Sequence, residues 1–472
     1  MAEEPPPPQA IIQRTEQTML DSTQPSGENG LQSFRIHGRR TYTQQFDQLY
    51  YKRLDDLKPV VLEQAKRRWA GSSDNSNKPK WTPKVLNVEG PSLTYIIGTI
   101  FIDSNVKPST LVEVEKTHWI ADPAVEGKYR DGSEVVYLED ESGRIRLVGK
   151  EIAKATVASG IVAAVLGAET PTGEFDTAEI CFAGMPPLSA GDQPAPSIAE
   201  EDRFVAFVSG FNATIEQPVT LEMQLLAEYI VGNLGSADTQ RACAQIVQVV
   251  VAGGLLSLPE PPLGHTEDPR ANDRHAAAKL VAQIDEYLAD IAASVPLTVM
   301  PGKGDPADVS IPQQPINRRM FGQCCQFSGF VSTTNPAWLN VDGVGILGTA
   351  GQNIDDLRRY SVKGESACLL AAESLRWRHI APTAPDTLWC YPFTDRDPFI
   401  LEHSPHVYVV GNQPVADCAW AGDADAARSA RTRVLAVPVF KDSHQIMLLN
   451  LRTMECSAVR IGRTGAHERD EQ

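Results

Sequence analysis

The sequence predicts a chain of two folded parts, a small closed β-barrel followed by a larger α/β domain, flanked by polar tails. Three observations predict it. Five strand-like runs joined by short turns occupy roughly residues 90–200. A Pro/Gly/Ser-rich stretch, residues 187–196, then interrupts them. Beyond it, near-continuous apolar strands alternate with amphipathic helices, the pattern of a parallel sheet covered on both faces. With 472 residues, 42% of them hydrophobic and 22% charged, the chain is long enough for two or three domains with cores of their own.

In chain order, residues 1–40 are rich in Pro, Gln, Ser, Thr and Gly and bury too little apolar surface to offset their ordering entropy, so a disordered tail is expected. From Gln45 to Trp69, Phe46, Leu49, Tyr50, Leu54, Leu57, Val61 and Leu62 recur at helical spacing with Arg and Lys between them. That is an amphipathic helix with a bend expected near Pro59, and with the lysine-bearing linker after it makes a unit over 41–84. Strands are expected at 93–103, 134–138, 144–148, 157–166 and 178–183; the run Glu139-Asp140-Glu141-Ser142-Gly143 reads as a hairpin turn. Five strands in about a hundred residues suit a barrel of the oligonucleotide-binding (OB) type over 85–198, though periodicity alone leaves a small sandwich open.

The α/β domain is expected over 199–462, with a polar tail at 463–472. Strands are read at 204–208, 246–252 and 297–300, and helices begin at Thr220, stopping near Gly232, and at Asn272. Later strands are read at 345–347, 407–410, 433–439 and 445–451, separated by loops.

Composition excludes several functions. A net charge of −17 argues against a broad phosphate-gripping surface. The basic run Lys66, Arg67, Arg68 with Lys78, Lys80 and Lys84 reads as a solvated helix end and linker. The barrel aromatics Tyr95, Phe101, Tyr137, Phe175 and Phe182 have few cations beside them in sequence, which favours a protein-contacting barrel over a DNA-reading one. The eight cysteines include no Cys-x-x-Cys pair, and Cys324–Cys325 lacks further ligands at metal spacing. The start, MAEEPPPPQA, lacks the basic and apolar regions of a signal peptide, and no apolar run is long enough for a bilayer. A reducing compartment, cytosol or nucleus, is expected.

In a parallel sheet, ligands gather beyond the carboxyl ends of the strands. The loops there read Ser209-Gly210-Phe211-Asn212, Gly253-Gly254-Leu255-Leu256-Ser257, Pro301-Gly302-Lys303-Gly304-Asp305 and Gly411-Asn412-Gln413-Pro414. Their order and framing resemble the calcineurin-type metallophosphoesterases, whose active members carry Asp-x-His, Gly-Asp-x-x-Asp, Gly-Asn-His-Asp/Glu and Gly-His-x-His in these loops. Two metal ions need those carboxylates and imidazoles to bind phosphate and activate water. Here Gly210 and Asn212 stand in the first loop, Gly254 and Ser257 in the second, Lys303 and Gly304 in the third, Asn412 and Pro414 in the last. Only Asp305 survives, and one carboxylate cannot hold a dinuclear site. Neither a catalytic nor a metal-binding residue is expected.

An OB domain joined to a phosphoesterase domain without metal ligands resembles the accessory second (B-type) subunits of replicative DNA polymerases. Six stretches are similar to the delta type: FRIHGRRTYTQQFDQLYY (34–51), EDESGRIRLV (139–148), MPGKGDPADVSIPQQPINRRM (300–320), TNPAWLNVDGVGILGTAGQNIDDLRRY (334–360), HIAPTAPDTLWCYPFTDRDPF (379–399) and PHVYVVGNQP (405–414). The resemblance runs from about 34 to 462. It implies a nuclear, non-catalytic scaffold without a cofactor. In that family such a scaffold holds the Cys-rich C-terminal domain of the catalytic subunit and a further accessory subunit that tethers the assembly to the sliding clamp on primer-template DNA. The alternatives are a residual metallophosphoesterase, marked by metal-dependent turnover sensitive to Asp305, and a single-strand DNA-binding factor, marked by salt-sensitive oligonucleotide binding.

Among long-loop residues, Trp389, Tyr391, Phe393 and Phe399 read either as interface anchors or as residues buried under the loop. The run 348–353, glycine-containing after a strand, reads as a turn and helix cap rather than a phosphate loop. His379, His403 and His406 read as structural or surface histidines.

Overall fold

The computed structural model describes residues 34–38, 40–69, 79–107, 127–188, 202–257, 271–423 and 430–462. Helix α1 (Asp47–Trp69) runs through Pro59 as one element. One stripe of it, Leu54, Leu57, Val61, Ala65 and Trp69, is buried at a spacing of three and four residues. The stripe packs on the outward-facing side chains of the barrel, Tyr95, Ile97, Val162, Ala164, Leu166 and Cys181.

The barrel comprises β1 (Lys80–Trp81), β2 (Thr94–Asp103), β3 (Val135–Glu139), β4 (Arg144–Val148), α2 (Lys150–Lys154), β5 (Val162–Glu169) and β6 (Phe175–Phe182). Strand order is β1-β2-β3-β4-β6-β5, and β2 pairs back onto β5 to close the sheet. β4 meets β6 in parallel while the other main pairings are antiparallel, the OB arrangement. Alternation along each strand sends Ile96, Ile100, Leu138, Leu147, Ala163 and Val165 inward. The turn between β3 and β4 is closed by Asp140, whose Oδ1 accepts from the backbone N–H groups of Ser142 and Gly143. The expected strand at 157–166 begins only at Val162; residues 157–161 lead into it from α2.

The second part differs from the single sheet expected. It holds two sheets packed face to face. One has the order β10 (Phe330–Ser332), β9 (Leu297–Met300), β8 (Ile246–Ala252), β7 (Phe204–Val208), β16 (Gln445–Asn450), β17 (Cys456–Arg460). The other has the order β11 (Ala337–Val341), β12 (Val344–Thr349), β13 (Val407–Gln413), β15 (Thr432–Pro438), β14 (Asp417–Ala421). The physical reason is again period two. Val205, Phe207, Ile346, Val407, Val409, Leu435, Val437, Met447 and Leu449 face one another between the sheets. Their neighbours Ala206, Val208, Val249, Val251 and Leu448 face the outer helices α3 (Leu221–Val231) and α5 (Ala271–Ala292), and α4 (Ala237–Ala244) leads into β8. A strand buried on both faces reads as continuously apolar, and sequence alone does not say whether a helix or a second sheet covers it.

Thr220 caps α3, its Oγ1 accepting from the Met223 N–H at 3.3 Å, and Gly232 ends it with φ +92°. The stretch read as strands and loops after 350 also contains two helices, α6 (Gln352–Tyr360), opened at Gly351, and α7 (Ala367–Arg376), capped by Ser366; α8 (Phe440–Ser443) is a single turn.

The outer face of the second sheet, α6 and α7 share one continuous core with the barrel interior; Ile100, Leu138 and Phe175 belong to the same packed cluster as Tyr360, Trp377 and Tyr408. The tail expected over 1–40 is corrected at its end. Phe34 is buried in this cluster, and Gln314 clamps the backbone there, Nε2 donating to Phe34 O and Oε1 accepting from Ile36 N. The remainder of that segment, 1–33 and 39, lies outside the described residues, as does the expected tail at 463–472.

Candidate functional site

The loops after β7, β8, β9, β12 and β13 converge, as parallel strand topology requires. They meet backbone to backbone. Gly210 N donates to Gly253 O at 3.0 Å, Asn212 N to Gly254 O at 2.8 Å and Ala213 N to Leu255 O at 3.0 Å. Gly254 has φ +73°, and a Cβ there would lie 2.6 Å from Asn412 Oδ1 and 2.9 Å from the Gly210 Cα. No side chain longer than hydrogen fits at that position unless its neighbours move.

Asn412 fills the centre. It adopts φ +56°, its backbone N–H donates to Ser209 Oγ at 2.8 Å, and its Nδ2 donates to Ala252 O at 3.1 Å and Ala350 O at 2.9 Å. One amide therefore ties the loops after β8 and β12 to β13, crossing between the two sheets. Behind it stands a second amide layer: Asn335 Nδ2 donates to Gln313 Oε1 and Gln352 Oε1, and Asn335 Oδ1 accepts from Ala350 N.

Asp305 is buried beneath the same loops. Its carboxylate accepts from Gly254 N (2.9 Å), Gly302 N (2.8 Å) and Leu256 N (2.8 Å). Burial pushes its pKa up to about 6, against the pull of these main-chain donors. At neutral pH it is an anion with both oxygens committed to peptide N–H groups, so it ties loops together. Ser257, Lys303, Gly304 and Pro414 are exposed at the rim. Among the described residues, no group of three or more His, Cys, Asp and Glu side chains is placed to hold a metal ion.

The four candidate aromatics separate. Phe399 and Phe393 are core residues, Tyr391 is half-buried against Tyr42 at a ring distance of 5.4 Å, and Trp389 is 59% exposed. The basic run is largely engaged: Arg67 pairs with Glu63, Arg68 with Glu179, and Lys66 lies over the Trp81 ring. Lys78 lies outside the described residues. On the barrel, Lys107 covers Phe101 and pairs with Asp386, Arg144 covers Tyr137 and sits 3.9 Å from Glu139, and Arg146 pairs with Glu174.

Sequence reasoning missed a fully buried and densely satisfied charge. Arg53 on α1 is fully buried: Nε donates to Asp397 Oδ2 at 2.7 Å, and the remaining nitrogens donate to Pro382 O (2.7 Å), Ala384 O (2.7 Å) and Gly160 O (3.3 Å). His379 completes the group. Its Nδ1 accepts from Ala381 N, so Nε2 carries the proton and donates to Asp397 Oδ2 at 2.8 Å. Burial, then repulsion from Arg53, lowers the His379 pKa to about 4, and it is neutral. Burial opposes the Asp397 charge, but His379 and Arg53 outweigh it and hold the carboxyl far below the usual range. The only sequence signal was an arginine inside the apolar stripe of α1, three residues before Asp56 and one before Leu54. His406 is also structural, its Nδ1 accepting from Gly345 N at 3.0 Å.

Comparison with known proteins follows these two parts. A family model described as DNA polymerase delta subunit OB-fold domain matches residues 45–180, and a model for the B-type subunits of DNA polymerases alpha and epsilon matches residues 205–418. The DNA polymerase delta small subunit of Arabidopsis thaliana is 36% identical over 428 residues, covering 90% of this chain and 92% of that protein. Its counterpart in Oryza sativa is 35% identical over 431 residues (90% and 95%), and that in Saccharomyces cerevisiae 31% identical over 458 residues (90% and 90%). Identity at this level across both domains and the junction that joins them shows that the chain belongs to the family of DNA polymerase delta small subunits.

Proposed function

We propose that the chain is the non-catalytic scaffold of a delta-type replicative DNA polymerase. Its α/β domain is a calcineurin-like phosphoesterase fold whose metal cleft has been closed and converted to structure. The observation that carries this reading is the centre of the loop cluster. Gly210, Gly254 and Gly302 approach within distances that exclude side chains, Asn412 spans the gap, and Asp305 has spent both oxygens on main-chain donors. Two metals bridged by a carboxylate need an open site and free lone pairs. Neither is supported by this geometry.

The scaffold bridges the Cys-rich C-terminal domain of the catalytic subunit and a further accessory subunit, and through the latter the sliding clamp and primer-template DNA, in the nucleus. It needs no cofactor of its own. A shared core between barrel and sandwich favours the role, because a rigid body holds two partners in fixed relation. Barrel cations already paired with carboxylates favour protein over single-strand DNA as the contact.

The test is co-expression of the full chain with the Cys-rich C-terminal domain of a delta-type catalytic subunit, followed by size-exclusion chromatography. A co-migrating complex stable at 0.5 M salt is expected. Separate elution of two folded components would overturn the reading.

A further inference from the structure

The thiols of Cys418 and Cys456 come together although 38 positions separate them in sequence. Cys418 lies on β14, the edge of one sheet, and Cys456 on β17, the edge of the other. A single guanidinium reaches both. Arg433 Nη2 donates to Cys418 Sγ at 2.9 Å, and Arg433 Nε donates to Cys456 Sγ at 3.2 Å. Nε and Nη2 share one edge of the planar group, so the two sulfurs lie side by side. Both cysteines line a cavity of about 360 Å³, with Asp417, Asp442 and Arg460 also on its wall. A reagent the size of water or peroxide has room there.

We propose that Cys418 and Cys456 form a peroxide-oxidisable dithiol that closes a disulfide between the edges of the two sheets. Cys418 is the attacking sulfur. Its contact with Cys456 and the Arg433 guanidinium, 2.9 Å away, hold its pKa below the usual thiol range, against burial and the Asp417 charge. The same contact pushes the Cys456 thiol up, so the proton rests there. Cys368, close to Asp417 behind them, is a buried thiol raised to well above its ordinary value by desolvation and does not compete.

The chemistry balances with a hydroperoxide as oxidant. A Cys418 sulfur lone pair attacks one oxygen of hydrogen peroxide, the O–O bond breaks, and hydroxide leaves to give the sulfenic acid. Cys456 sulfur then attacks Cys418 sulfur, the S–O bond breaks, and the hydroxyl leaves as water with the Cys456 proton. Two thiols and one peroxide become one disulfide and two waters. A dithiol reductant reverses the step.

The experiment uses the purified full chain, reduced, treated with hydrogen peroxide at pH 7, blocked with N-ethylmaleimide and mapped by non-reducing tryptic mass spectrometry. Expected is peptide 397–428 joined to peptide 453–460, returned to separate peptides by dithiothreitol. Cys418 should oxidise roughly tenfold faster than the partly exposed Cys325. In Cys456→Ser, Cys418 should accumulate as a sulfenic acid trapped by dimedone; in Cys418→Ser, Cys456 should stay reduced. The proposal is overturned if Cys418 reacts no faster than Cys325, or if no joined peptide forms while Cys418 is oxidised.

Discussion

Replacing Arg53 with methionine removes the guanidinium but keeps most of the stem volume, so the loss is electrostatic rather than a cavity. Arg53→Met strips Asp397, which is fully buried, of its cationic partner. One-sided loss of a buried ion pair costs about 3–5 kcal/mol. The carbonyls of Pro382, Ala384 and Gly160 lose a donor as well, on the order of 1 kcal/mol each where water cannot replace it. A total of about 5–8 kcal/mol is expected, the lower figure where water reaches some of the carbonyls, and a large share of the roughly 5–15 kcal/mol of a typical domain. Urea unfolding followed by circular dichroism, for Arg53→Met, Asp397→Asn and the double variant, reads it out. Since the pair acts as a unit, the double variant should lose at least about 2 kcal/mol less than the sum of the singles. Gly160→Ala probes the same junction from the barrel side, because a Cβ there would sit 1.9 Å from Pro382 O. An Arg53→Met variant within about 1 kcal/mol of the parent, or strict additivity of the two singles, would refute the reasoning.

Four further outcomes are expected. His379 is neutral in the fold with its pKa lowered to about 4, whereas the unfolded chain protonates it near 6.5; its contribution is present above 6.5 and is lost as pH falls toward 4, by about 3 kcal/mol. Asp305 has the opposite sign: raised to about 6 from 3.8, it contributes stability present below about 4 that is lost as pH rises through 6. Urea titrations at pH 5 and pH 7 should therefore show His379→Gln losing less on acidification than the parent and Asp305→Asn losing more. Gly254→Asp, which places a carboxylate where the proposed phosphoesterase likeness would have one, should lower stability by more than about 2 kcal/mol without gaining a thermal shift from manganese, because its side chain meets Asn412 and Gly210. Trp389→Ala should leave the unfolding midpoint within about 0.5 kcal/mol of the parent while weakening co-purification with a polymerase partner, since this side chain is 59% exposed.

Local signals were legible and non-local ones were not. A β-rich run located the barrel strand β2 and alternation located β3 and β4, and Thr220 and Gly232 marked the ends of α3 because capping is decided by neighbouring residues. The second sheet was hidden, because an apolar run such as Val407–Val410 looks the same under a helix as under another sheet. Helical spacing did not single out Arg53; its partner Asp397 lies 344 positions away, and nothing local announces a contact of that range. The loop glycines were legible as positions of close backbone approach. That Asn412 serves as a tie between sheets was not, since its acceptors Ala252 and Ala350 come from two other loops. Cys418 and Cys456 escaped notice for the same reason.

The closed cleft is tested most directly by titrating the full chain with manganese and following the paramagnetic resonance signal of the free ion, alongside hydrolysis of bis(p-nitrophenyl) phosphate. With Gly254 against Gly210 and both Asp305 oxygens engaged, the free-ion signal should grow linearly from the first addition and no product should form. Disappearance of two manganese equivalents per chain, with turnover abolished in Asp305→Ala, would contradict it.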